Sequence, residues 1–298
     1  MILNCKSKEI VFTSGGTESI NLALKGIAFA NREDGNHIIT TKIEHPAVLE
    51  TCGFLSYRGF DITHLDVDKN GLVNPKDVEK AINDKTILIS VMYANNEIGT
   101  IQEIEEIGKI AQERGVYFHT DACQASGFLD LNVKNLGVDL LSLNGSKVNG
   151  PKGAGLLYIK EGVLIEPLIH GGGQEFGYRS GTENVPEIIG LAKALEIAHG
   201  EREERNLEMT ELRDYFISEL LKIPKSRLNG DATKRLPNNV NVSFLDVEGE
   251  SMLLHLNEKG IYASSGSACT SKTLETSHVL RAIGLPYEAS HGSLRFTL

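Results

Sequence analysis

Short β-rich runs alternate with helical patterns through the first half of this chain, and this alternation restricts the folds that it can adopt. The predicted strands are Glu9–Thr13, His37–Thr41, Thr86–Met92, Val116–Thr120 and Asp139–Leu143. Glu103–Arg114, with its apolar residues on one face, is one of the helical patterns between them. Strands separated by helices predict an α/β fold, in which helices flank a mostly parallel sheet. Ligands collect at the carboxyl ends of the strands of such a sheet, so we expect a site there.

The pattern changes in the last third of the chain. The segment from Glu187 to Lys222 is helical and strongly charged, which predicts a solvated helix that connects two domains. The elements predicted after it are a strand and two helices, at Asn239–Phe244, Gly249–Lys259 and Ser277–Ile283. We therefore predict a large domain over residues 1–200 and a smaller α+β domain over residues 201–298.

Composition narrows the possible partners. The net charge of the 298 residues is −10 without a basic run, which argues against nucleic acid and anionic membranes as partners. No apolar stretch approaches the roughly 18 residues of a membrane helix, and the first residues do not resemble a signal peptide. The four cysteines, at positions 5, 52, 123 and 269, show no paired spacing and are typical of reduced thiols. The sequence thus predicts a cytoplasmic protein.

A metal site is not predicted. The stretch DVDKNGLVNPKD places Asp66, Asp68 and Asn70 as in a calcium loop, but Asp77 stands where the loop needs a bidentate glutamate, and Pro75 interrupts it. A polar turn is the better interpretation. No cysteine or histidine pair has the spacing of zinc ligands.

The first predicted strand runs into a glycine-rich turn, FTSGGTESINLALKG. Gly16 lets the backbone approach a ligand, and the free N–H groups of the following helix, together with the hydroxyl group of Thr17, would suit an anion. The alternative is a capping box, with Thr17 as the N-cap of the helix.

Further polar residues follow other predicted strands. They are His45 in IEHPAVLE, Asn96 in MYANNEIG, Asp121 and Gln124 in FHTDACQAS, and Lys147 in LSLNGSKVNGPKGAGLLYI. Each has a structural alternative: a structural histidine, a polar turn, a buried aspartate satisfied by backbone, or a solvated loop lysine. Together they would converge on one edge of the sheet.

This combination matches the needs of pyridoxal 5'-phosphate. The cofactor requires a phosphate site, a lysine for its aldehyde, and a carboxylate that keeps its pyridine nitrogen protonated. The glycine turn, Lys147 and Asp121 supply these three groups, and His45 supplies an aromatic partner for the ring. Pyridoxal 5'-phosphate is therefore the predicted cofactor.

One cysteine stands in unusual surroundings. Cys269 lies in YASSGSACTS, a run of small residues, whereas structural cysteines usually have large apolar neighbours. The alternatives are an idle surface thiol and a reactive nucleophile on a flexible loop.

Read in order, these motifs resemble the cysteine desulfurases of fold type I, in the class V aminotransferase group. The matching stretches are IVFTSGGTES, IEHPAVLETC, VMYANNEIGT, FHTDACQA, SKVNGPKGAGLLY, GGGQEFGYRSGTEN, LPNNVNVSF and YASSGSACTS. They cover essentially the whole chain. The long SSGSACTS form resembles the branch that serves iron–sulfur scaffolds.

The resemblance implies roles at the cofactor ring. Lys147 would be the Schiff-base lysine, which also takes the Cα proton of the substrate. Asp121 would pair with the pyridine nitrogen, and Gln124 with the ring oxygen. His45 would stack on the ring and move protons.

It also implies roles at the phosphate and the substrate. Gly16 and Thr17 would bind the phosphate group, and Thr182 would reach the phosphate of the neighbouring subunit in a homodimer. Asn96 would lie beside the cofactor and the substrate carboxylate, which the guanidinium group of Arg295 would clamp.

Cys269 would then be the nucleophile of the reaction. The resemblance implies that its thiolate attacks the sulfur of L-cysteine, that alanine leaves, and that a persulfide remains on Cys269. An iron–sulfur scaffold or another sulfur-acceptor protein would receive this sulfur.

The sequence departs from the family directly before the lysine. The family usually has Ser-x-His there, where this chain has Asn144, Gly145 and Ser146. Asn144 and Ser146 can donate hydrogen bonds to the phosphate, but neither carries a positive charge. We therefore expect weaker phosphate binding with Lys147 still functional.

The chain ends are the second departure. Family members have a further N-terminal segment near the substrate and C-terminal helices beyond the arginine, so we expect the small domain of this chain to be incomplete. A truncated, non-catalytic module that dimerises or holds a sulfur-acceptor protein is therefore one alternative. A selenocysteine lyase or another class V aminotransferase is a second, although Cys269 favours sulfur transfer.

Overall fold

The computed structural model describes residues 2–265 and 276–298. The chain forms two compact units that interleave along the sequence. The first consists of Met1–Leu65, Val73–Tyr93 and Gln102–Arg202. The second consists of Asp66–Leu72, Ala94–Ile101 and Glu203–Leu298. Two short stretches of the first half of the sequence therefore belong to the second unit.

The first unit is built on a seven-stranded sheet with the order β1-β7-β6-β5-β4-β2-β3. Its strands are β1 Ile10–Thr13, β2 His37–Thr41, β3 Asp61–Leu65, β4 Thr86–Ser90, β5 Tyr117–Asp121, β6 Leu140–Asn144 and β7 Gly155–Ile159. The pairings of β2 with β3 and β4, of β4 with β5, and of β5 with β6 are parallel. Only β7 is antiparallel to its neighbours in this sheet, β1 and β6. The predicted α/β class with a mostly parallel sheet is confirmed.

Helices connect and flank these strands. They are α1 Gly16–Ala30, α2 Pro46–Tyr57, α3 Pro75–Ala81, α4 Ile104–Arg114, α5 Val133–Leu136 and α6 Val185–Gly200. The helix α1 buries Ile20, Leu24 and Ile27, which recur at the spacing of one helical face. All five residues of β2 are buried, as expected of a strand whose sheet is covered on both faces.

The second unit contains a smaller antiparallel sheet with the order β10-β9-β8. Its elements are α7 Arg202–Leu220, β8 Ser226–Leu228, β9 Asn239–Phe244, α8 Gly249–Glu258, α9 His278–Ala282, α10 Tyr287–His291 and β10 Ser293–Thr297; α7 begins at the last residue of the first unit. The core of this unit includes Ile217, Val242 and Phe296, and the rings of Phe216 and Phe296 pack edge to face at 5.1 Å.

The structure corrects the predicted single helix over Glu187 to Lys222 and contains the predicted polar turn. The charged pattern from Glu187 to Lys222 is not one helix, because α6 ends at Gly200, a weak helix former, and α7 begins anew at Arg202. The calcium-like stretch forms a polar turn, in which Asp68 Oδ1 accepts hydrogen bonds from the backbone N–H groups of Asn70 (2.9 Å) and Leu72 (2.8 Å).

None of the helices in residues 2–265 and 276–298 has both the length and the apolar character needed to cross a bilayer. Within the same residues, no group of three or more histidine, cysteine, aspartate or glutamate side chains is arranged to hold a metal ion.

A buried histidine links the three central strands of the first sheet. His119 on β5 is fully buried, and its Nδ1 and Nε2 atoms lie 2.9 Å from the hydroxyl groups of Ser90 on β4 and Ser142 on β6. Each hydroxyl can donate or accept, so a neutral imidazole satisfies both contacts. Burial lowers the pKa of His119 from 6.5 to about 3. The imidazole is therefore neutral in the folded protein at pH 7.

We predict that His119 makes the fold sensitive to acid. Between pH 6.5 and about 3 the unfolded chain binds a proton at this histidine and the folded chain does not. The free energy of unfolding should therefore fall as the pH falls, by up to about 1.4 kcal/mol per pH unit from this residue. His119→Gln, which keeps a neutral donor and acceptor, should flatten the acid side of a stability–pH curve from chemical denaturation.

The control for this prediction is His170→Gln, which changes an exposed histidine. Its stability–pH curve should keep the slope of the unmodified protein. Equal slopes for all three proteins would contradict the assignment.

Candidate active site

The carboxyl ends of the parallel strands carry most of the predicted site residues of the first unit. β1 leads into Gly16 and Thr17, β2 into His45, β5 ends at Asp121, and β6 leads into Lys147. Parallel strands place their carboxyl ends at the same edge of the sheet. The structure thus brings these five residues to one edge, as predicted.

Two glycines, Gly15 and Gly16, form the amino end of α1, so the backbone there carries no side chains. Gly15 is the N-cap residue and has a φ of +150°, a conformation that favours glycine. A Cβ atom on Gly16 would lie 2.7 Å from Cys123 Sγ and 3.4 Å from Asn144 Cβ, so no side chain fits there. The first N–H groups of a helix lack partners within the helix and attract anions. This turn is therefore a suitable cradle for a phosphate group.

The alternative of a capping box with Thr17 as N-cap is wrong. The helix begins one residue before Thr17, because Gly15 can adopt the N-cap conformation that starts it at Gly16. The carboxylate of Glu18 instead accepts a hydrogen bond from the backbone N–H of Ser14 (2.9 Å). The side chain of Thr17 remains exposed beside the turn.

Glu18 places a negative charge close to this cradle, and Arg179 compensates it. Arg179 Nε donates a hydrogen bond to Glu18 Oε1 at 2.8 Å. Burial would raise the pKa of Glu18, but the hydrogen bonds from Arg179 and Ser14 outweigh it, and the net shift is downward. The ion pair lessens the repulsion that an anion at the α1 terminus would otherwise meet.

Asp121 ends β5 with a side chain that is 5% exposed. Its Oδ1 atom accepts a hydrogen bond from the backbone N–H of Cys123 at 2.9 Å. Burial raises the pKa of the Cys123 thiol, the charge of Asp121 raises it further, and the charge of Lys147 lowers it. The charges of Asp121 and Lys147 thus both affect the Cys123 thiol, in opposite directions.

Lys147 ends a short 3₁₀ helix, Gly145–Lys147, directly after β6. Asn144 caps this turn, since its Oδ1 accepts a hydrogen bond from Ser146 N at 3.4 Å. The amide Nδ2 of Asn144 lies 3.8 Å from the position of a Cβ atom on Gly16. Asn144 therefore has a donor directed toward the cradle, and the side chains of Ser146 and Lys147 are exposed beside it.

His45 has a structural role as well as its predicted one. It is the N-cap residue of α2, and its Nδ1 atom accepts a hydrogen bond from the backbone N–H of Ala47 at 3.0 Å. An accepting Nδ1 carries no proton, so the proton of the neutral ring is on Nε2. The ring is half-buried and keeps Nε2–H as a donor. Gln124, three residues after Asp121, is also half-buried.

Thr182 is exposed and lines a cavity in the first unit beside the turn that leads into α1. This cavity has a volume of about 220 Å³, and Ser14, Glu175 and Arg179 also line it. That Thr182 contacts the phosphate of a second subunit stays a prediction.

Asn96 and Arg295 belong to the second unit, where they contact each other. Arg295 Nη1 donates a hydrogen bond to the backbone carbonyl of Asn96 at 3.0 Å. Asn95 turns the chain before it, because Asn95 Oδ1 accepts hydrogen bonds from the N–H groups of Glu97 and Ile98. The roles of Asn96 and Arg295 toward a substrate stay predictions.

Cys269 lies outside the described residues. The chain on either side of residues 266–275 is held within the second unit. Ser264 exchanges two backbone hydrogen bonds with Arg295, at 3.0 and 2.7 Å. The hydroxyl of Ser277 donates to the buried carboxylate of Glu97 and caps α9. The role of Cys269 as a nucleophile stays a prediction.

Several polar groups at the site were not predicted from the sequence. Glu18, Glu44 and His119 lie inside the motifs given above, but each directly adjoins or closely precedes a residue with a more familiar role. Glu44 directly precedes His45 in TTKIEHPA, and a carboxyl group next to a candidate ring partner is the signal that could have drawn attention to it. Arg179 carries no local signal, because its partner Glu18 is distant in sequence.

Comparisons with known proteins identify the family of this chain. Residues 1–290 match the model of the class-V aminotransferase family. A cysteine desulfurase IscS of Methanosarcina thermophila is 61% identical over 296 residues, which are 99% of this chain and 73% of that protein. A cysteine desulfurase IscS of Dictyoglomus turgidum is 58% identical over 297 residues, 99% of this chain and 75% of that protein.

Solved structures give the same result. A NifS-like protein superposes with a TM-score of 0.93 at 41% identity, over 100% of this chain and 79% of that one. A structure described as SspA in complex with cysteine has a TM-score of 0.87 at 40% identity, over 100% of this chain and 83% of that one.

The fold and the strand-end groups define an enzyme that uses pyridoxal 5'-phosphate on a fold type I scaffold. Within that class the chain belongs to the class-V aminotransferase family. The predicted family resemblance and the predicted cofactor are confirmed.

The residues present fit this cofactor. The α1 cradle has room for backbone only at Gly16 and presents N–H groups to a phosphate. Thr17 and Asn144 would add side-chain donors, and the buried carboxylate of Asp121 would be available for the pyridine nitrogen. Lys147 would hold the aldehyde carbon. These groups therefore complement the charge and the hydrogen-bonding needs of the cofactor at both its phosphate and its ring nitrogen.

We predict that Gly16→Ala damages both the fold and the cofactor site. The new Cβ atom would lie 2.7 Å from the sulfur of buried Cys123, which should lower the free energy of unfolding by about 1–3 kcal/mol. Pyridoxal-phosphate affinity should fall with it, because the helix start must shift. Urea unfolding and a titration with the cofactor measure the two effects.

Two further variants isolate the cause. Gly53→Ala, on an exposed face of α2 where a Cβ atom meets nothing within 4 Å, should be neutral or stabilising by about 1 kcal/mol. Adding Cys123→Ala to Gly16→Ala should restore part of the lost stability, since it removes the clash. Strictly additive effects of the two substitutions would contradict this explanation.

Proposed function

We propose that this protein is a pyridoxal-phosphate-dependent cysteine desulfurase, which converts L-cysteine to L-alanine and leaves a persulfide on Cys269. The observation that carries the proposal is the convergence of the phosphate cradle, Asp121 and Lys147 at one sheet edge. The relatives with the highest identity quoted above are themselves named cysteine desulfurases.

Each candidate site residue of the first unit would have a specific task in this reaction. When bound, pyridoxal phosphate supplies an electron sink for the bond at the substrate Cα. Lys147 Nζ holds the cofactor and then accepts the Cα proton. Asp121, from its buried position at the end of β5, would pair with the ring nitrogen and keep a proton on it. His45, with its proton on Nε2, covers the ring and can donate that proton.

The second unit and Cys269 complete the proposal. Arg295 would bind the substrate carboxylate through its guanidinium group, with Asn96 beside it. The Cys269 thiolate would attack the substrate sulfur, so that the C–S bond breaks, its electrons pass to the substrate carbon and an S–S bond forms. The persulfide would then pass to an iron–sulfur scaffold or to another sulfur-acceptor protein.

We further propose that the protein works as a cytoplasmic homodimer. Thr182 would contact the partner's phosphate, and the exposed apolar side chains of Phe176, Val185 and Ile189 lie near it in sequence. A contiguous exposed apolar patch is typical of a surface that another protein covers, so these three side chains are the proposed dimer contacts.

We predict that Lys147→Ala abolishes the visible absorbance band of lysine-bound pyridoxal phosphate. It should lower alanine formation from L-cysteine by about 10³-fold, because the residue both holds the cofactor and moves the proton. The matched control is Lys152→Ala, an exposed lysine in the same loop, which should retain the band and the activity. A Lys147→Ala protein with the unchanged band would overturn the proposed function.

Cys269→Ala separates the desulfurase from the second enzyme considered. It should retain the visible band but form no persulfide, whereas Cys5→Ala should behave like the unmodified protein. If Cys269→Ala still released alanine from L-selenocysteine at the original rate, a selenocysteine lyase would be the better assignment. A protein that binds no cofactor at all would favour the non-catalytic binding module.

The departure before Lys147 gives another prediction. Ser146 replaces the histidine that the family usually has, so the phosphate lacks one cationic donor. Ser146→His should lower the dissociation constant of pyridoxal phosphate by about tenfold, the effect of one charged hydrogen bond. The measurement is a cofactor titration at pH 6.5 and pH 8.5, and the gain should be larger at pH 6.5, where histidine is charged. Equal affinity of both proteins would refute the expectation.

A further inference from the structure

Glu44 is a fully buried carboxyl group at the edge of the sheet, and none of the roles assigned above uses it. It lies in the turn between β2 and α2, directly before His45, and its side chain is 0% exposed. Burying a carboxyl group is unfavourable unless it is protonated or hydrogen-bonded. Its place beside two proposed cofactor residues therefore calls for an explanation.

The side chain of Glu44 joins the ends of two neighbouring parallel strands. Its Oε1 atom accepts a hydrogen bond from Thr41 Oγ1 at 2.8 Å and another from the backbone N–H of Met92 at 3.0 Å. Thr41 is the last residue of β2, and Met92 follows the end of β4. One carboxyl oxygen thus fixes the distance between the two strand ends.

The backbone that Glu44 holds is also bonded to Asp121. Tyr93, the residue after Met92, donates its N–H to the carbonyl oxygen of Asp121 at 2.9 Å. Met92 and Tyr93 therefore lie between Glu44 on one side and Asp121 on the other. On the opposite side, His45 follows Glu44 directly in the chain. A shift of the Glu44 side chain would be transmitted to both His45 and Asp121.

The carboxyl group of Glu44 is protonated more readily in this buried location than in water. Burial raises the pKa of Glu44 to about 8, although the bonds from Met92 and Thr41 oppose the rise, and the charge of Asp121 on β5 adds to it. Cys52, which faces Glu44 from α2, is itself neutral, because burial raises its pKa to about 12. Glu44 is thus mainly neutral at pH 7, so it acts here as a hydrogen-bonding group rather than as a second charge beside Asp121.

We propose that Glu44 is a positioning residue of the pyridoxal-phosphate site: its carboxyl group ties the end of β2 to the backbone after β4 and holds His45 and Asp121 at the spacing that the cofactor ring requires. The inference rests on the proposed function, because it assigns Glu44 a role toward the same cofactor. It adds a residue that contacts neither cofactor nor substrate and acts through the two that do.

Two substitutions at position 44 test the proposal. Glu44→Gln keeps a neutral side chain with a carbonyl oxygen, so it should bind pyridoxal phosphate within about twofold of the unmodified protein. Glu44→Leu has a similar size but no acceptor, so the dissociation constant should rise about tenfold. In Glu44→Leu the visible band should also titrate at a different pH, because a displaced Asp121 pairs less well with the ring nitrogen.

A matched pair of threonine substitutions provides a second test with less risk to folding. Thr41 and Thr40 are both buried on β2, and valine has nearly the shape of threonine. The Thr41 hydroxyl donates to Glu44, whereas the Thr40 hydroxyl makes no hydrogen bond within the described part of the chain. Thr41→Val should raise the dissociation constant of the cofactor about threefold, and Thr40→Val should leave it unchanged.

The outcomes separate positioning from a merely structural role. If Glu44→Leu lowered the melting temperature but kept the cofactor affinity and the pH titration of the band, the proposal would be overturned. If Glu44→Leu did not fold, equal cofactor binding by Thr41→Val and Thr40→Val would overturn it. The visible band of the unmodified protein and of Lys147→Ala is measured first. An unmodified protein without a Lys147-dependent band would refute the proposed function itself, independently of any Glu44 variant.

Discussion

Parallel hydrogen bonding between β2, β4, β5 and β6 is the constraint on which the site depends. In a parallel pair the strands run in the same direction, so residues that follow each strand emerge at one edge of the sheet. The strand pairing alone brings residues as distant in sequence as His45, Asp121 and Lys147 to that edge. The Ser90–His119–Ser142 hydrogen bonds link β4, β5 and β6 side by side, only two residues before Asp121 on β5. The buried polar network thus lies where a slip of one strand would displace the site.

The sequence carried enough information for the α/β class, for most strand positions and for the identity of the strand-end residues. It could do so because the buried strands are short apolar runs, and because chemistry-bearing residues follow them at once, as in FHTDACQ. Local propensity was a poorer guide to element ends. It favoured Thr17 as an N-cap, whereas Gly15 starts α1 earlier through a backbone conformation that glycine favours. It also merged α6 and α7, because charge and periodicity continue across Gly200.

Contacts between residues distant in sequence could not be predicted in this way. The pair Glu18–Arg179 joins residues 161 positions apart, and Glu44 reaches Met92 across 48. In a single sequence, Glu18 resembles a first-turn helix residue and Glu44 a polar residue in a turn. Their burial and partners become evident only when the sheet is assembled. The interleaving of residues 66–72 and 94–101 with the second unit is hidden for the same reason, since a domain boundary drawn along the chain assumes continuous segments.

Several groups at the site have a role in the fold beside their proposed role toward the cofactor. His45 caps α2 through Nδ1, Asn144 caps the turn before Lys147, and Asp121 accepts a hydrogen bond from Cys123 N. Each of these bonds fixes one side of the group and directs its other side toward the edge of the sheet. A substitution at such a residue therefore removes a hydrogen bond of the fold, with a cost of about 1 kcal/mol, as well as the proposed contact to the ligand. Loss of activity alone cannot distinguish the two effects. Lys147 and Thr17, which are exposed and cap nothing in the described structure, are the positions where lost function reports on chemistry rather than on folding.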